Sequence, residues 1–190
     1  MTVVRQAAHA WELEGILALQ RANLRRNLSD ADAAQQGFLT AEYTLPFLHA
    51  MNAARPSIVA IDQSQVVGYA LVATPSIRDE HPFIRSLFEA IDGIPWGDGC
   101  LGGYPYVVVG QLCVGREHRG QGLVQRLYQH FRETLQADYH CAVTDIAREN
   151  TRSLRAHQAT GFQVIHSFAY EGRDWDVVLW DWRTDPHRVP

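Results

Sequence analysis

The residues best suited to chemistry form one segment of this 190-residue chain, Gln111-Leu112-Cys113-Val114-Gly115-Arg116-Glu117-His118-Arg119-Gly120-Gln121-Gly122-Leu123-Val124. An apolar run passes through a polar glycine loop directly into an amphipathic stretch. Glycines let the backbone turn with its N–H groups facing a ligand, and a helix starting straight after the loop adds positive partial charge. That combination suits a pyrophosphate, and Arg119 could add charge-assisted hydrogen bonds to it. Other nucleotide loops fit poorly. The segment has neither the lysine of a Walker A loop nor the three-glycine spacing of a dinucleotide fingerprint. A short glycine loop on its own can also simply turn the chain.

The elements that must position this segment can be read around it. Tyr106 to Val114 is an apolar strand that delivers the loop. Leu123, Val124, Leu127, Tyr128, Phe131 and Leu135 line one face of the helix that leaves it. A strand over 140–147 follows. Asn150 caps a further helix, which Gly161 ends in the left-handed conformation. Residues 163–170 and 174–182 flank Glu171-Gly172-Arg173 as a closing hairpin. Upstream, Ser57 to Asp62 and Gln65 to Pro75 form another hairpin. Trp11, Leu13, Ile16, Leu17, Leu19 and Leu24 predict a helix over about His9 to Leu28. Ser29 to Gly37 reads as a loop or a short helix. Thr40 is expected to cap a helix over Ala41 to Asn52, with Pro46 near its first turn or kinking it. Residues 76–105 make a long connection, with a helix-like piece at His81 to Ile91 and a flexible piece at Gly97 to Gly103. Such a connection reads equally as a lid or as a surface insertion. No repeat or linker interrupts the pattern, so residues 1–190 are expected to form one mixed α/β domain.

Composition narrows the function classes. With 46% hydrophobic and 20% charged residues, the chain can bury a core and is not disordered. Its 17 basic and 21 acidic residues give a formal charge of −4, which argues against a general nucleic-acid binder. No run of roughly 18 apolar residues suggests a membrane span, and the first residues lack the apolar stretch of a secretory signal. Cys100, Cys113 and Cys141 cannot all pair and have no metal-like spacing. The expectation is a cytoplasmic enzyme or binding protein without a metal.

Arg119-Gly120-Gln121-Gly122-Leu123-Val124 resembles the acetyl-CoA motif of the GNAT acetyltransferase superfamily, [Arg/Gln]-x-x-Gly-x-[Gly/Ala], with Val124 departing from the small residue expected last. Asn150-Thr151-Arg152-Ser153-Leu154-Arg155-Ala156-His157-Gln158-Ala159-Thr160-Gly161-Phe162 resembles the family's second motif, Asn-x-x-[Ala/Ser] on a helix ending in Gly-Phe. The resemblance covers roughly residues 106–170. It implies a mostly antiparallel mixed sheet, twisted, flanked by helices and splayed between two central strands, with acetyl-CoA as co-substrate in the resulting cleft. Backbone groups of Leu112, Cys113 and Val114 would pair with the pantetheine arm. Amides of Arg119, Gly120, Gln121, Gly122, Leu123 and Val124 would hold the pyrophosphate. Asn150 would reach the cofactor, cap its helix, or do both. Cys113 reads as a small buried residue rather than a nucleophile.

The reaction implied is direct attack of an amine on the acetyl thioester, which needs a base for the amine proton and benefits from an acid at the leaving sulfur. Many relatives carry a tyrosine acid where this chain has His157, which could donate a proton or simply pack. Asp145 stands where relatives often place an acidic residue and could be the base or orient a loop. Gln111 stands where some relatives place glutamate; an amide cannot be a base but can position water. Asp79, Glu80, Glu89, Asp92 and Asp98, beside Trp96, Tyr104 and Tyr106, could attract a cationic amine. The acceptor is therefore expected to be a small or polyamine-like amine, with a peptide amine left open. Trp175, Trp180 and Trp182 could make a homodimer edge, although their alternating spacing suits a core. The competing reading is a non-catalytic acyl-CoA-binding or regulatory protein on the same fold.

Overall fold

The computed structural model describes residues 1–170 and 172–183; Glu171, expected in the closing turn, lies outside the described residues. Nine strands and six α-helices alternate along the described residues. They are β1 (Val3–Gln6), α1 (Ala10–Ala22), α2 (Asp30–Gln36), α3 (Leu45–Ala54), β2 (Ile58–Asp62), β3 (Gln65–Ala73) and α4 (Pro82–Asp92). After them come β4 (Pro95–Trp96), β5 (Gly99–Cys100), β6 (Tyr106–Val114), α5 (Leu123–Leu135), β7 (Cys141–Ala147), α6 (Thr151–Thr160), β8 (Gln163–Tyr170) and β9 (Arg173–Asp181). The main sheet has the order β1-β2-β3-β6-β7-β9-β8, while β4 and β5 pair by themselves. Only β6 and β7 run parallel; the other neighbours are antiparallel.

The N-terminal helices depart from the sequence expectation for local reasons. Buried Glu12 anchors the start of α1 by accepting from the backbone N–H groups of Ala8 and His9 and from Arg5. The helix ends at Ala22 rather than Leu28, because Asn23 Nδ2 bonds back to the Leu19 carbonyl and Leu24 turns to bridge Leu39. The polar stretch that follows folds into the short α2, whose cap Ser29 accepts from Asp32 N. Thr44, not Thr40, caps α3. Residues 40–43 cannot start a helix because they are pinned: Tyr43 N donates to Gln20 Oε1, and the Ala41 carbonyl accepts from Gln111 Nε2.

Two apolar layers sandwich the sheet. One holds Ile16, Leu48, Met51, Phe88 and Ile91 from α1, α3 and α4. The other holds Leu123, Leu127, Tyr128, Phe131 and Leu135, the buried stripe of α5. Each of these side chains contributes about 1.5–3 kcal/mol by leaving water. β3 and the first half of β6 are buried on both faces, as strands covered by helices on both sides must be. No helix among the described residues is long and apolar enough to cross a membrane.

Candidate active site

The parallel strands β6 and β7 stay together for only three residue pairs, Tyr106 with Cys141, Val107 with Ala142 and Val108 with Val143. Thr144 Oγ1 then donates to the Val109 carbonyl at 2.9 Å, a side chain completing the last rung. Beyond it, β6 pairs only with β3 and β7 only with β9. The sheet therefore opens into a wedge whose walls present backbone groups without a strand partner. Gly110 sits in the register shift opposite Leu71 and Val72, which increases the local twist. A Cβ there would stand 2.9 Å from Met51 Cε, so any side chain at this position requires the end of Met51 to shift. Tyr43 Oη donates to the Gly110 carbonyl at 3.1 Å and fixes this bend.

On one side the wedge widens to a cleft of about 400 Å³, lined by Leu112, Cys113, Val114, Arg119, Gly120, Gly122, Leu123, Val124 and Asn150. Gln121 is not part of this lining; its amide turns to the Glu117 carbonyl at 3.0 Å. Gly120 and Gly122 have φ of +73° and +71°, backbone that a side chain makes costly. The first helical bond of α5 runs from Arg126 N to the Gly122 carbonyl, so the preceding amides have no helical acceptor and are available to an anion. Cys113 is buried, which pushes its thiol up to about 12; such a thiol is inert.

Arg119 is not extended toward an anion. Its Nε donates to the Val114 carbonyl at 2.9 Å, and its two terminal nitrogens donate to Gln36 Oε1 at 2.9 Å and Asn23 Oδ1 at 2.6 Å. It braces the glycine loop against α1 and α2. Asn150 does two jobs: Oδ1 accepts from Ser153 N at 3.3 Å as a helix cap, and Nδ2 donates to the Phe38 carbonyl at 2.9 Å. Gly37, at φ +72°, makes this approach possible, since a Cβ there would come 3.0 Å from Asn150 Oδ1. Asn23, Gln36, Phe38 and Leu39 also line the cleft. They carry no motif and are brought there by packing across the chain; the glycine ending a polar stretch was their only local signal.

On the other side lies a narrow crevice of about 80 Å³ whose lining includes Gln111, Thr144, Asp145, Ser153, His157 and Trp175. All three expected catalytic residues thus meet in one place, with different freedom. Burial pushes the Asp145 carboxyl up to about 6. Gln111 is committed on both atoms: Oε1 accepts from Tyr69 Oη at 2.6 Å and Nε2 donates to the Ala41 carbonyl at 2.9 Å. His157 is 3% exposed and equally committed. Its Nδ1 lies 2.8 Å from the Ser153 carbonyl and its Nε2 lies 2.6 Å from Tyr128 Oη. A carbonyl only accepts, so Nδ1 carries the proton and Nε2 accepts from the tyrosine. Burial pulls this imidazole down to about 4, leaving it neutral at pH 7 with no free N–H.

The acidic connection does not assemble into a cavity lining. Asp79 pairs with Arg85, and Asp92 is held by Arg78 and by Tyr106 Oη. Glu80, Glu89 and Asp98 are exposed, and none of the five acids lines the wedge. The connection folds into α4 and the β4–β5 ribbon, and Ile84, Leu87, Phe88 and Ile91 bury one face of α4 in the core. Trp182 is fully buried and Trp180 packs against the α5-side core. Thr144, Ser153 and Trp175 were not anticipated at the site. Alternation along β7 and β9 could have suggested the first and last, but nothing local distinguishes a wedge-facing position from a core one.

A family model described as acetyltransferase (GNAT) family matches residues 25–162. No curated protein matches the chain. Among solved structures, a chain of the NatC complex bound to Gag peptide and CoA is similar with a TM-score of 0.64 and 13% identity, over 95% of this chain and 98% of that one. The Salmonella typhimurium protein yncA, solved with its cofactor acetyl-CoA, is similar with a TM-score of 0.63 and 18% identity, over 100% and 98% of the two chains. The ribosomal-protein-S18-alanine N-acetyltransferase from Escherichia coli is similar with a TM-score of 0.63 and 8% identity, over 100% and 99%. At these identities the likeness is one of fold.

Proposed function

We propose that this chain, which belongs to the acetyltransferase (GNAT) family, transfers an acetyl group from acetyl-CoA to a primary amine by direct attack in a ternary complex. The observation that carries this reading is the wedge itself. It joins a cleft with unpaired helix-start amides to a crevice holding a carboxyl pushed up to about 6.

The large cleft fits the co-substrate by its chemistry. Backbone groups of Leu112, Cys113 and Val114 offer partners to an amide-bearing arm, and the loop from Gly120 to Val124 offers N–H groups to a pyrophosphate. Arg119 acts as a brace that keeps α2 over the cleft while adding positive field. Asn150 ties the roof at Phe38 to the second motif.

In the crevice, Asp145 takes the amine proton, directly or through water, as the nitrogen bonds to the acetyl carbon. A base with its pKa near 6 is largely ionised at neutral pH yet still basic enough to help. Unpaired β6 amides face the negative charge that develops on the thioester oxygen. Ser153, which lines both cavities, supplies a hydroxyl hydrogen bond where the sulfur departs. His157 and Gln111 are positioning residues. His157 fixes α6 on α5 through Tyr128, and Gln111 fixes the segment before α3 against β6. Free cysteines at 100, 113 and 141 suit a reducing compartment.

Calorimetric titration with acetyl-CoA, against CoA and ATP, tests the cleft. Saturable binding of acetyl-CoA with ATP much weaker is expected, and thiol release with an amine panel then tests transfer. Binding without transfer to any amine would leave an acyl-CoA-binding protein instead.

A further inference from the structure

Beside the Asp145 crevice a third cavity of about 470 Å³ opens, lined by Leu24, Arg25, Arg26, Thr40, Tyr170, Arg173 and Trp175. Thr40 and Trp175 line both spaces, so the two are adjacent. Three arginines and no carboxylate are among the described lining residues. This is the opposite polarity to the acidic acceptor surface that the sequence suggested. Trp175 adds an independent observation: it is 7% exposed, and its Nε1–H is buried with no acceptor. A buried N–H without a partner is uncommon in a folded protein and calls for an explanation. Trp175 itself lines this cavity, and its N–H gains an acceptor if the ring turns toward a group arriving there.

We propose that the acceptor is a small amine that also carries an oxyanion, a carboxylate or phosphonate, held by Trp175 Nε1–H and by Arg25, Arg26 and Arg173. The inference rests on the transferase reading given above. The arginines now pair with surface acids, Arg25 with Asp30, Arg26 with Glu42, and Arg173 with Glu149 at 3.3 Å. Such exposed pairs are weak and readily exchanged. An oxyanion in a partly enclosed cavity gains more from the same donors, and guanidinium groups can hold it in two-point contact. With the oxyanion on this side of Trp175, the amine lies toward Asp145. The N–C bond then forms as the thioester C–S bond breaks, the amine proton passes to Asp145, and CoA leaves as the thiol after taking up one proton.

The test compares matched acceptors in a thiol-release assay with acetyl-CoA: the proteinogenic amino acids against their carboxamides, and 2-aminoethylphosphonate against propylamine. The expected result is a kcat/KM about tenfold or more higher for the charged member of at least one pair, as a charge-assisted contact gives. Preference confined to the carboxylate or to the phosphonate arm identifies the oxyanion. Arg26→Gln with Arg173→Gln should raise KM for that acceptor about tenfold while the KM for acetyl-CoA stays unchanged; Arg85→Ala, on a different ion pair, should not change the preference. In solution NMR the indole N–H resonance of Trp175, assigned through Trp175→Phe, should shift on adding the charged acceptor and not its neutral partner. Equal or better turnover of the neutral members, or of peptide N-termini alone, overturns the proposal and leaves the transferase reading intact. So does an arginine variant that lowers kcat alike for charged and neutral acceptors. No turnover of any amine by protein that binds acetyl-CoA overturns both.

Discussion

Replacing Asp145 by Asn should stabilise the protein while stopping its reaction. Asp145 lies on β7 where the strand has lost β6, and burial lifts its carboxyl from the ordinary 3.8 to about 6. Below pH 3.8 the group is protonated whether the chain is folded or not, and the fold bears no cost. Above pH 6 it is ionised in both states, and the fold carries the full penalty of holding a poorly solvated charge. Moving the acid dissociation from 3.8 to about 6 corresponds to about 3 kcal/mol. Asp145→Asn removes that penalty. Urea unfolding of the two proteins should therefore give similar stabilities near pH 4, with the variant ahead by up to about 3 kcal/mol by pH 7–8. In the same variant kcat/KM should fall by about 100-fold or more, the scale of a general base. The wild-type kcat/KM should decline tenfold per pH unit below about 6. A variant less stable than wild type at pH 8, or a stability difference that does not grow with pH, would refute the assignment of a carboxylate destabilised by burial. An undiminished rate would refute its role as the base.

His157 titrates in the opposite sense. Its pKa is held down at about 4 rather than 6.5, so it contributes about 3 kcal/mol of stability above pH 6.5 that is lost as pH falls toward 4. His157→Phe should flatten that acid limb in pH-dependent unfolding and cost about 1–3 kcal/mol at pH 7 by orphaning Tyr128 Oη. The pH profile of kcat in the folded variant should stay as in wild type. Gly122→Val places a branched side chain at φ +71°, which costs roughly 1–2 kcal/mol and displaces the loop amides. Calorimetry should show acetyl-CoA affinity reduced by about tenfold or more with little change in the affinity for an acceptor. Asn150→Ala removes both the cap and the tie to Phe38. Thermal unfolding should show a loss of about 0.5–2 kcal/mol, and hydrogen exchange should show α2 and residues 37–39 less protected.

What was legible in the sequence tracks how local its cause is. The strand from Tyr106 to Val114, the glycine loop and the α5 stripe were read closely because hydrophobic period, glycine and helix start are neighbours in the chain. The cap at Asn150 and the stop at Gly161, φ +116°, were equally local. The end of α1 and the start of α3 were misplaced because their causes are distant: Leu24 bridges Leu39, and Gln20 and Gln111 hold residues 41–43 extended. The family resemblance singled out His157, Gln111 and Asp145, and all three line the crevice. It could not say that the first two have spent their hydrogen bonds on Tyr128, Ser153, Tyr69 and Ala41. Acidic residues in 76–105 suggested an acceptor surface, but charge in a sequence does not reveal ion pairing, and Asp79 and Asp92 are paired with Arg85 and Arg78. Arg173 lies far along the chain from the adjacent Arg25 and Arg26, and only the fold gathers the three around Trp175.

The most direct measurement is mass spectrometry of an amine acceptor after incubation with the protein and isotope-labelled acetyl-CoA, with Asp145→Asn in parallel. The wedge geometry predicts one labelled acetyl group on the acceptor nitrogen, formed in step with free CoA by the wild-type protein and nearly absent with the variant. Free CoA accumulating without labelled amine, or equal labelling by both proteins, would contradict it.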